Sequence, residues 1–467
     1  KFQMSNLASA KKIEIKNLGF KTQKSSIKLY GDVNLVDQTN PKFNLNLDMK
    51  PLVLKEATTW ISGVGKSDGT VNMLAKVKGS ANKPTLELNL KVNAKNIKPE
   101  GVKENITRFI TDLDIKAGLL KKGKTYDPRY VDLKMKKLDL AMGPNELNGF
   151  MSVDGAGDSF KLDFILNSKK FNLDHLTGGP QAAGAGAKGA KPTGGGKSSG
   201  DAAAGEQVIP LPQRLEMLDK QLADLRKINL LKKSKGKISI NMGEVIANGL
   251  KFDKFQLVAS ARYLKFAIQK FHVKVFKGDV KAGGEVNIRK RKPTFGGKLN
   301  VASIDLDQAT KYAAPSMAGL VTGNLFANGN IGGNGILWPD VEKNLTGKGS
   351  FEIKDGVLST IPIAKWVKEA VSKVKFVNKF AGKIKTKKDF GDRIKALKAK
   401  TTIARGVAHL KPVTFEYTTG DLGFHGNGTV TFVQDLDFLG DARVKHSLLP
   451  VGELKGTDGR SWVPLKF

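Results

Sequence analysis

Cysteine is absent from the 467-residue chain, and arginine is scarce among its basic residues, with 11 of 78. Without cysteine the chain can form no disulfide, thiol nucleophile, iron–sulfur cluster or cysteine zinc site. Arginine is the residue favoured for bidentate contacts to phosphates and bases, so its scarcity argues against nucleic-acid readout. No run of about 18 apolar residues could cross a bilayer, and no signal peptide stands at Lys1. Because the chain starts without Met, we expect a longer protein, with any membrane anchor outside this sequence.

Catalytic and metal-binding patterns are also missing. The five histidines show no HExxH or HxxxH spacing, and no GxSxG or SxxK motif lies in a strand-to-helix context. Gly194 to Ser198 imitates the end of a phosphate loop, but Lys191 stands where the first glycine is required. We therefore predict a protein that is not an enzyme and has no catalytic residues, metal site or cofactor.

The charge is strongly positive, with 78 Lys and Arg against 44 Asp and Glu and a formal net charge of +34. Sequence-independent nucleic-acid binding needs clustered cations, with exposed aromatic residues for stacking on single strands. Here the lysines are spread along the whole chain, and most Phe residues alternate into apolar strand faces. The one dense run outside predicted helices, residues 288–293, is explained by a hairpin turn. We predict no nucleic-acid partner and a lysine-coated exterior.

The dominant pattern is an alternation of apolar and polar residues, which is typical of antiparallel strands with one wet face. It is strict in residues 43–49, 86–92 and 160–164. A strand with glycine, a polar turn and an alternating strand recur as a unit, and the turn prolines Pro41 and Pro84 place two copies 43 residues apart. Each unit ends in a short apolar tag. The predicted fold is mainly β: elongated antiparallel sheets of repeating β-groove type, curled around an apolar groove, with a few short amphipathic helices.

The sequence divides into three regions. Residues 1–176 form an N-terminal β-repeat region, and 177–210, which are rich in Gly, Ala, Lys and Ser, are predicted to be a flexible linker. Residues 211–467 form a C-terminal β-region. Apolar residues at helical spacing predict helices near 211–229 and 363–383, with a shorter helix over 391–400.

From Leu225 onward the order of motifs resembles the C-terminal region of the AsmA family of bacterial envelope proteins. The resemblance covers about 240 residues and rests on glycine and apolar positions, among them Gly278-Asp279-Val280, Gly323-Asn-Leu, Gly347-Lys-Gly349-Ser-Phe-Glu-Ile-Lys-Asp355-Gly356 and Ile403-Ala-Arg-Gly406-Val407. It implies a periplasmic protein held at the inner membrane and linked to outer-membrane lipid homeostasis. Larger relatives resemble bridge-type lipid carriers.

A groove of this kind has a physical purpose. Two acyl chains of about 16 carbons cost on the order of 20 kcal/mol in water, so an apolar sheet face would ease the transfer of phospholipid or another acyl lipid. The expected lining residues are Phe43, Leu45, Leu47, Met49, Leu86, Leu88, Leu90, Val92, Leu162, Phe164, Leu299 and Val301. The same residues could instead form an ordinary closed core. The alternative function is a non-enzymatic scaffold or assembly factor for outer-membrane biogenesis that binds envelope proteins through its sheet edges.

The helix expected at 363–383 has an apolar stripe and many lysines. The stripe could pack on the sheet as a lid, or the helix could lie on an anionic membrane surface. In the second case the contacting residues would be Lys365, Lys368, Lys373, Lys375 and Lys379.

Overall fold

A computed structural model describes most of the chain. The described residues are 11–57, 68–97, 104–123, 125–156, 159–177, 220, 222–227, 232–313, 315, 318–335, 338–357, 369, 372, 393–405, 407–418, 420, 422–431, 436–447, 449, 452 and 455–466. They form two compact units, Lys1–Leu264 and Lys265–Phe467. The division into 1–176, 177–210 and 211–467 stays a prediction, and the linker, from residue 178 on, lies outside the described residues.

Unit 1 contains eleven of the described strands and two short helices. The strands are β1 (Lys12–Lys21), β2 (Ser26–Asn34), β3 (Lys42–Val53), β4 (Asp68–Ser80), β5 (Lys83–Lys95), β6 (Ile106–Lys122), β7 (Thr125–Met142), β8 (Asn145–Ala156), β9 (Ser159–Asn172), β10 (Lys235–Ala247) and β11 (Leu250–Arg262). The helices are α1 (Leu54–Ala57) and α2 (Leu173–Thr177). Residues 222–227, inside the helix expected near 211–229, are also helical.

Unit 2 contains ten of the described strands. These are β12 (Lys265–Val275), β13 (Gly278–Asn287), β14 (Thr294–Asp305), β15 (Asn324–Asn334), β16 (Thr346–Val357), β17 (Arg393–Ala404), β18 (Val407–Tyr417), β19 (Leu422–Thr431), β20 (Leu436–Lys445) and β21 (Arg460–Lys466). Its helices are α3 (Leu306–Ala313) and α4 (Trp338–Asn344). Of the helix expected at 363–383, all but Glu369 and Ser372, both helical, lie outside the described residues.

Each unit is a meander in which every strand pairs with the strands before and after it. The pairings are antiparallel except between β9 and β10, which run parallel. Register shifts interrupt β1, β3, β6 and β12, among others, and such bulges bend strands and increase their twist. Among the described residues of either unit, no pairing joins its last strand to its first. The prediction of a mainly-β fold of open, curled sheet is confirmed.

The repeating unit corresponds to a hairpin followed by an apolar tag at one end of its strands. In the β2–β3 copy the tag is Leu52 to Leu54, which leads into α1, and in the β13–β14 copy it is Ile304 to Leu306, which leads into α3. Leu52, Leu54 and Ile304 are buried. The tags therefore bury one end of the strands.

One short helix was predicted wrongly. Residues 393–404 form strand β17, not the end of a helix over 391–400. Ile394 pairs with Tyr417 and Ala396 with Glu416, so a bulge places one extra residue, Lys395, in the strand. Ile394 and Leu397 therefore share a strand face at a spacing of three, which imitates the spacing of a helix.

Candidate functional site

The predicted lining residues of unit 1 lie on one face of its sheet. Leu47 pairs with Ala75, Ala75 with Leu88 and Leu88 with Ile115, and this row continues through Leu133 and Val153 to Leu162. A neighbouring row holds Met49, Leu90 and Phe164 in the same way. The face is thus apolar across at least seven strands, β3 to β9.

Within the described part of unit 1, the side chains on this face are only partly shielded from water. All ten lining residues predicted there, from Phe43 to Phe164, are half-buried. The buried large apolar residues of β3 and β10 lie toward the tag end, as Leu52 and Val245 do. A closed core would bury the middle of each strand most deeply, so the described part of unit 1 has an apolar face without a complete second layer.

In unit 2 part of the equivalent face is open. Phe266 is 41% exposed, Ile268 45%, Leu299 46% and Ile331 48%. Pairing places them together: Phe266 lies opposite Val286, while Ile268, Gly284, Gly297 and Ile331 form one row across β12 to β15. Large apolar side chains are rarely left this exposed in a contiguous group unless the surface has a ligand or partner. We call these four residues the open patch.

The open patch borders a cavity of about 370 Å³ over β13 to β17. Leu299 and Ile331 of the patch line it together with Phe351 and Ile403. The glycines that line it are Gly283, Gly297, Gly329 and Gly349. Leu299 is flanked by Gly329 and Ile331 by Gly297 and Gly347, so the sides of both large side chains remain accessible.

The other predicted lining residue of unit 2, Val301, lies on the same face next to Ala327 and is half-buried. Toward β21 the face closes into a core of Ile394, Ala399, Val413, Phe415, Tyr417, Leu422, Phe424, Ala442, Val444, Leu449 and Val463. Phe351 packs against this core and also lines the cavity. The cavity therefore has a firm apolar wall on one side and the open patch on the other.

The titratable groups with shifted pKa values belong to ion pairs and polar clusters between strands and turns. A hydrogen bond from Lys136 lowers the pKa of Asp114, and hydrogen bonds from Lys251 and Lys170 lower that of Glu244. The His272 ring hydrogen-bonds to Asp279 at 2.5 Å and lowers its pKa. None of these carboxylates lines the cavity. In the described part of the chain, no group of three or more His, Asp or Glu could hold a metal ion.

Sequence reasoning placed Leu299 and Val301 on the lining but missed Phe266, Ile268, Ile331 and the glycines around them. The alternation Gly329-Asn-Ile331-Gly-Gly333 carries the signal, because it sets one large apolar residue between glycines on a single strand face. The expected membrane-contact residues Lys365, Lys368, Lys373, Lys375 and Lys379 lie outside the described residues.

A search for membrane spans found no helix, among the residues described, that is both long and apolar enough to cross a bilayer. No curated protein and no solved structure matches the chain. The model of the AsmA family matches residues 156–413, which is more than half of the chain and includes the open patch and the cavity lining. The chain therefore belongs to the AsmA family, a family of envelope proteins.

Proposed function

We propose that the chain binds the acyl chains of phospholipids along its apolar sheet faces. In this way it supports phospholipid transport to the outer membrane, or the homeostasis of that membrane, from the periplasm. A segment outside the sequence would anchor it to the inner membrane. The open patch is the observation that carries the proposal, because a water-exposed apolar face next to a cavity fits an apolar ligand.

The energetics favour this use of the face. Each CH₂ group that moves from water onto an apolar surface gains about 0.8 kcal/mol. The cavity lining provides this gain over several strands. Its two lysines, Lys298 and Lys348, alternate with the apolar residues and so project their charges to the opposite side of the sheet, which leaves bound lipid free to slide. Such a role needs no catalytic residue, which agrees with the non-enzymatic character expected from the sequence.

Filling the cavity tests the proposal. A Cβ atom at Gly297 would lie 3.5 Å from the Gly283 carbonyl oxygen and 3.9 Å from Ile331, so the Cβ atom of Gly297→Leu meets no backbone clash. Gly296→Leu is the matched control. Its side chain projects from the opposite face, where a Cβ atom meets only the Ile331 carbonyl oxygen at 3.8 Å.

We expect Gly297→Leu to lower the affinity for a fluorescent phospholipid at least tenfold, and Gly296→Leu to bind as the original protein does. Native mass spectrometry should show the same order in co-purified lipid. Equal binding by all three proteins would contradict lipid binding at this cavity. A chain that carries no lipid but forms a stable complex with an envelope protein would support the scaffold alternative.

The predicted lining of unit 1 needs a separate test. A photo-crosslinking amino acid at Leu88 should capture phospholipid, whereas the same group at Glu87 should not, because Glu87 is exposed on the opposite face. Capture at both positions, or at neither, would contradict the assignment of Leu88 to a lipid-binding face.

A further inference from the structure

The turn between β13 and β14 carries four consecutive cations, which the proposed function does not use. Arg289, Lys290, Arg291 and Lys292, here named the basic tip, are all exposed. The sequence from Val286 to Val301 holds these four and Lys298 but no Asp or Glu. Lys292 lies 3.6 Å from Asp340 of α4. The tip thus concentrates positive charge at one end of the sheet.

The base of the tip is firmly held. Ile288, which precedes it, is only 4% exposed, and Pro293, which follows it, is buried. The Arg289 amide donates a hydrogen bond to Asn287 Oδ1 at 3.1 Å, and the Gly335 amide donates one to the Pro293 carbonyl at 2.7 Å. A surface loop with two buried apolar ends and fixed hydrogen bonds presents its cations in a defined place.

The open patch begins directly behind the tip. Val286 and Phe295 are a facing pair three positions from its ends, and Phe266 lies opposite Val286. Ile268 and Ile331 follow in the next row. Cations in front of an exposed apolar face match the order of groups in a phospholipid layer, with anionic phosphates outside and acyl chains behind them.

The chemistry favours a bilayer surface over other anionic partners. Single-stranded nucleic acid needs exposed aromatic platforms for base stacking, whereas three of the four residues in the open patch are aliphatic. All four cations of the tip are exposed, as contact with a flat charged surface requires. Its place directly in front of the open patch distinguishes the tip from an ordinary hairpin turn.

We propose that the basic tip docks unit 2 on the surface of an anionic phospholipid bilayer and so brings the open patch to the headgroup layer. The docking depends on charge and does not require lipid to be bound in the cavity. It also differs from the membrane contact expected for the lysines of 363–383, which form a separate segment of the chain.

The test is flotation of the whole chain with vesicles of phosphatidylcholine alone or with 30% phosphatidylglycerol by design. Each Lys or Arg near an anionic surface raises the affinity for that surface roughly fivefold. A variant with all four tip residues changed to Gln should therefore lose affinity for anionic vesicles, by up to roughly several hundredfold. Binding of the original chain should weaken as salt is added. Circular dichroism establishes that each variant folds.

The matched control removes the same number of charges elsewhere in unit 2. Lys274, Lys281, Lys400 and Lys445 are exposed, lie on the polar strand face and do not line the cavity, so changing these four to Gln leaves the tip and the cavity intact. This variant should lose less than tenfold. Equal losses in both variants, or unchanged binding by the tip variant, would overturn the proposal.

A second pair of measurements separates this proposal from the proposed function. The Gly297→Leu chain should still float with anionic vesicles although it carries less lipid. The tip variant should retain lipid supplied from detergent while it fails to float. If only replacement of the lysines of 363–383 abolishes flotation, the tip is not the docking surface.

Discussion

At the scale of single residues, Gly323 shows how closely the chain approaches itself at the tag end of unit 2. Its φ of +112° is one that residues with a side chain rarely adopt, and a Cβ atom would lie 2.7 Å from the Lys354 carbonyl oxygen. We expect Gly323→Ala to lower the free energy of unfolding by about 1–3 kcal/mol. Gly296→Ala has room and no positive φ, so it should change stability by less than about 0.5 kcal/mol.

Urea denaturation followed by circular dichroism measures both changes. If Gly323→Ala is as stable as Gly296→Ala, the close approach at the tag end is not required for folding.

Also at the scale of single residues, the ion pairs of Glu244 make the stability of the chain depend on pH. Its carboxylate lies 2.8 Å from Lys251 on β11 and 3.1 Å from Lys170 on β9, and these hydrogen bonds lower its pKa from 4.5. A carboxyl with a lowered folded pKa adds stability above its unfolded pKa and loses it as the pH falls through the folded value. We therefore expect Glu244→Gln to be less stable than the original chain at pH 7.

The difference should shrink as the pH falls below 4.5 and vanish once Glu244 is protonated in both states. Urea midpoints at pH 7, 5, 4 and 3 measure it. The control Glu14→Gln, on β1, replaces an exposed carboxylate and should change stability little at pH 7. A gap that stays constant from pH 7 to pH 3 would contradict the role of the two lysines.

At the scale of elements, the parallel pairing of β9 with β10 interrupts the antiparallel meander. Lys235 lies opposite Lys161 and Ile246 opposite Asn172, so the chain must return along the whole strand, roughly 36 Å, between the two. Parallel neighbours need such a crossover connection. The glycine-rich stretch predicted as a linker falls inside this connection, residues 173–234, which gives its position a structural reason.

Deleting residues 178–210 should therefore leave the sheet intact. The remaining connection is longer than the roughly 11 extended residues that span 36 Å. Shortening a long loop changes its closure free energy by less than about 1 kcal/mol. We expect an unchanged strand signal in circular dichroism and an unfolding free energy within that limit. A loss of more than about 2 kcal/mol would show that the deleted residues contribute packing.

The strands also show which parts of the fold can be predicted from the sequence. Period-two alternation identified strands such as β3, β5 and β9, because half-buried antiparallel strands impose that pattern directly. It failed at β17, where a bulge produced a helical spacing, since bulges depend on the neighbouring strand and leave little trace in a single sequence. The parallel β9–β10 pairing had no local signal either, because partner choice is a tertiary property.

At the scale of the whole molecule, the sequence predicted which residues share an apolar face but not which part of that face is open. Leu299 and Val301 alternate identically, yet Leu299 is exposed and Val301 half-buried. The difference depends on what lies across the sheet: Gly329 beside Leu299, and Ala327, followed by Phe351, beside Val301. The exposure of an apolar residue on this face thus depends on the size of the side chains paired with it on the neighbouring strands. The order of residues along a single strand does not reveal those partners.

The extent of the apolar face in unit 2 leads to a prediction about ligand length. Strands β12 to β17 at about 4.8 Å spacing give an apolar width of roughly 24 Å. This exceeds the roughly 15 Å that acyl chains occupy in one bilayer leaflet. An acyl ligand that lies across these strands can therefore add CH₂ groups over this width before it reaches the core that closes the face on the β21 side. Affinity for lysophospholipids should rise about fourfold per CH₂ from 10 to 16 carbons.

Isothermal titration below the critical micelle concentrations measures this slope, and the heat capacity change of binding should become more negative with each added carbon, because apolar surface leaves water. Gly297→Leu should flatten the slope, since its side chain obstructs the row from Ile268 to Ile331, whereas Gly296→Leu should not. A plateau at 10 carbons in the original chain would indicate a closed pocket of fixed size. A continuing rise requires a face that stays open across several strands, which is the property that distinguishes a lipid conduit from an ordinary core.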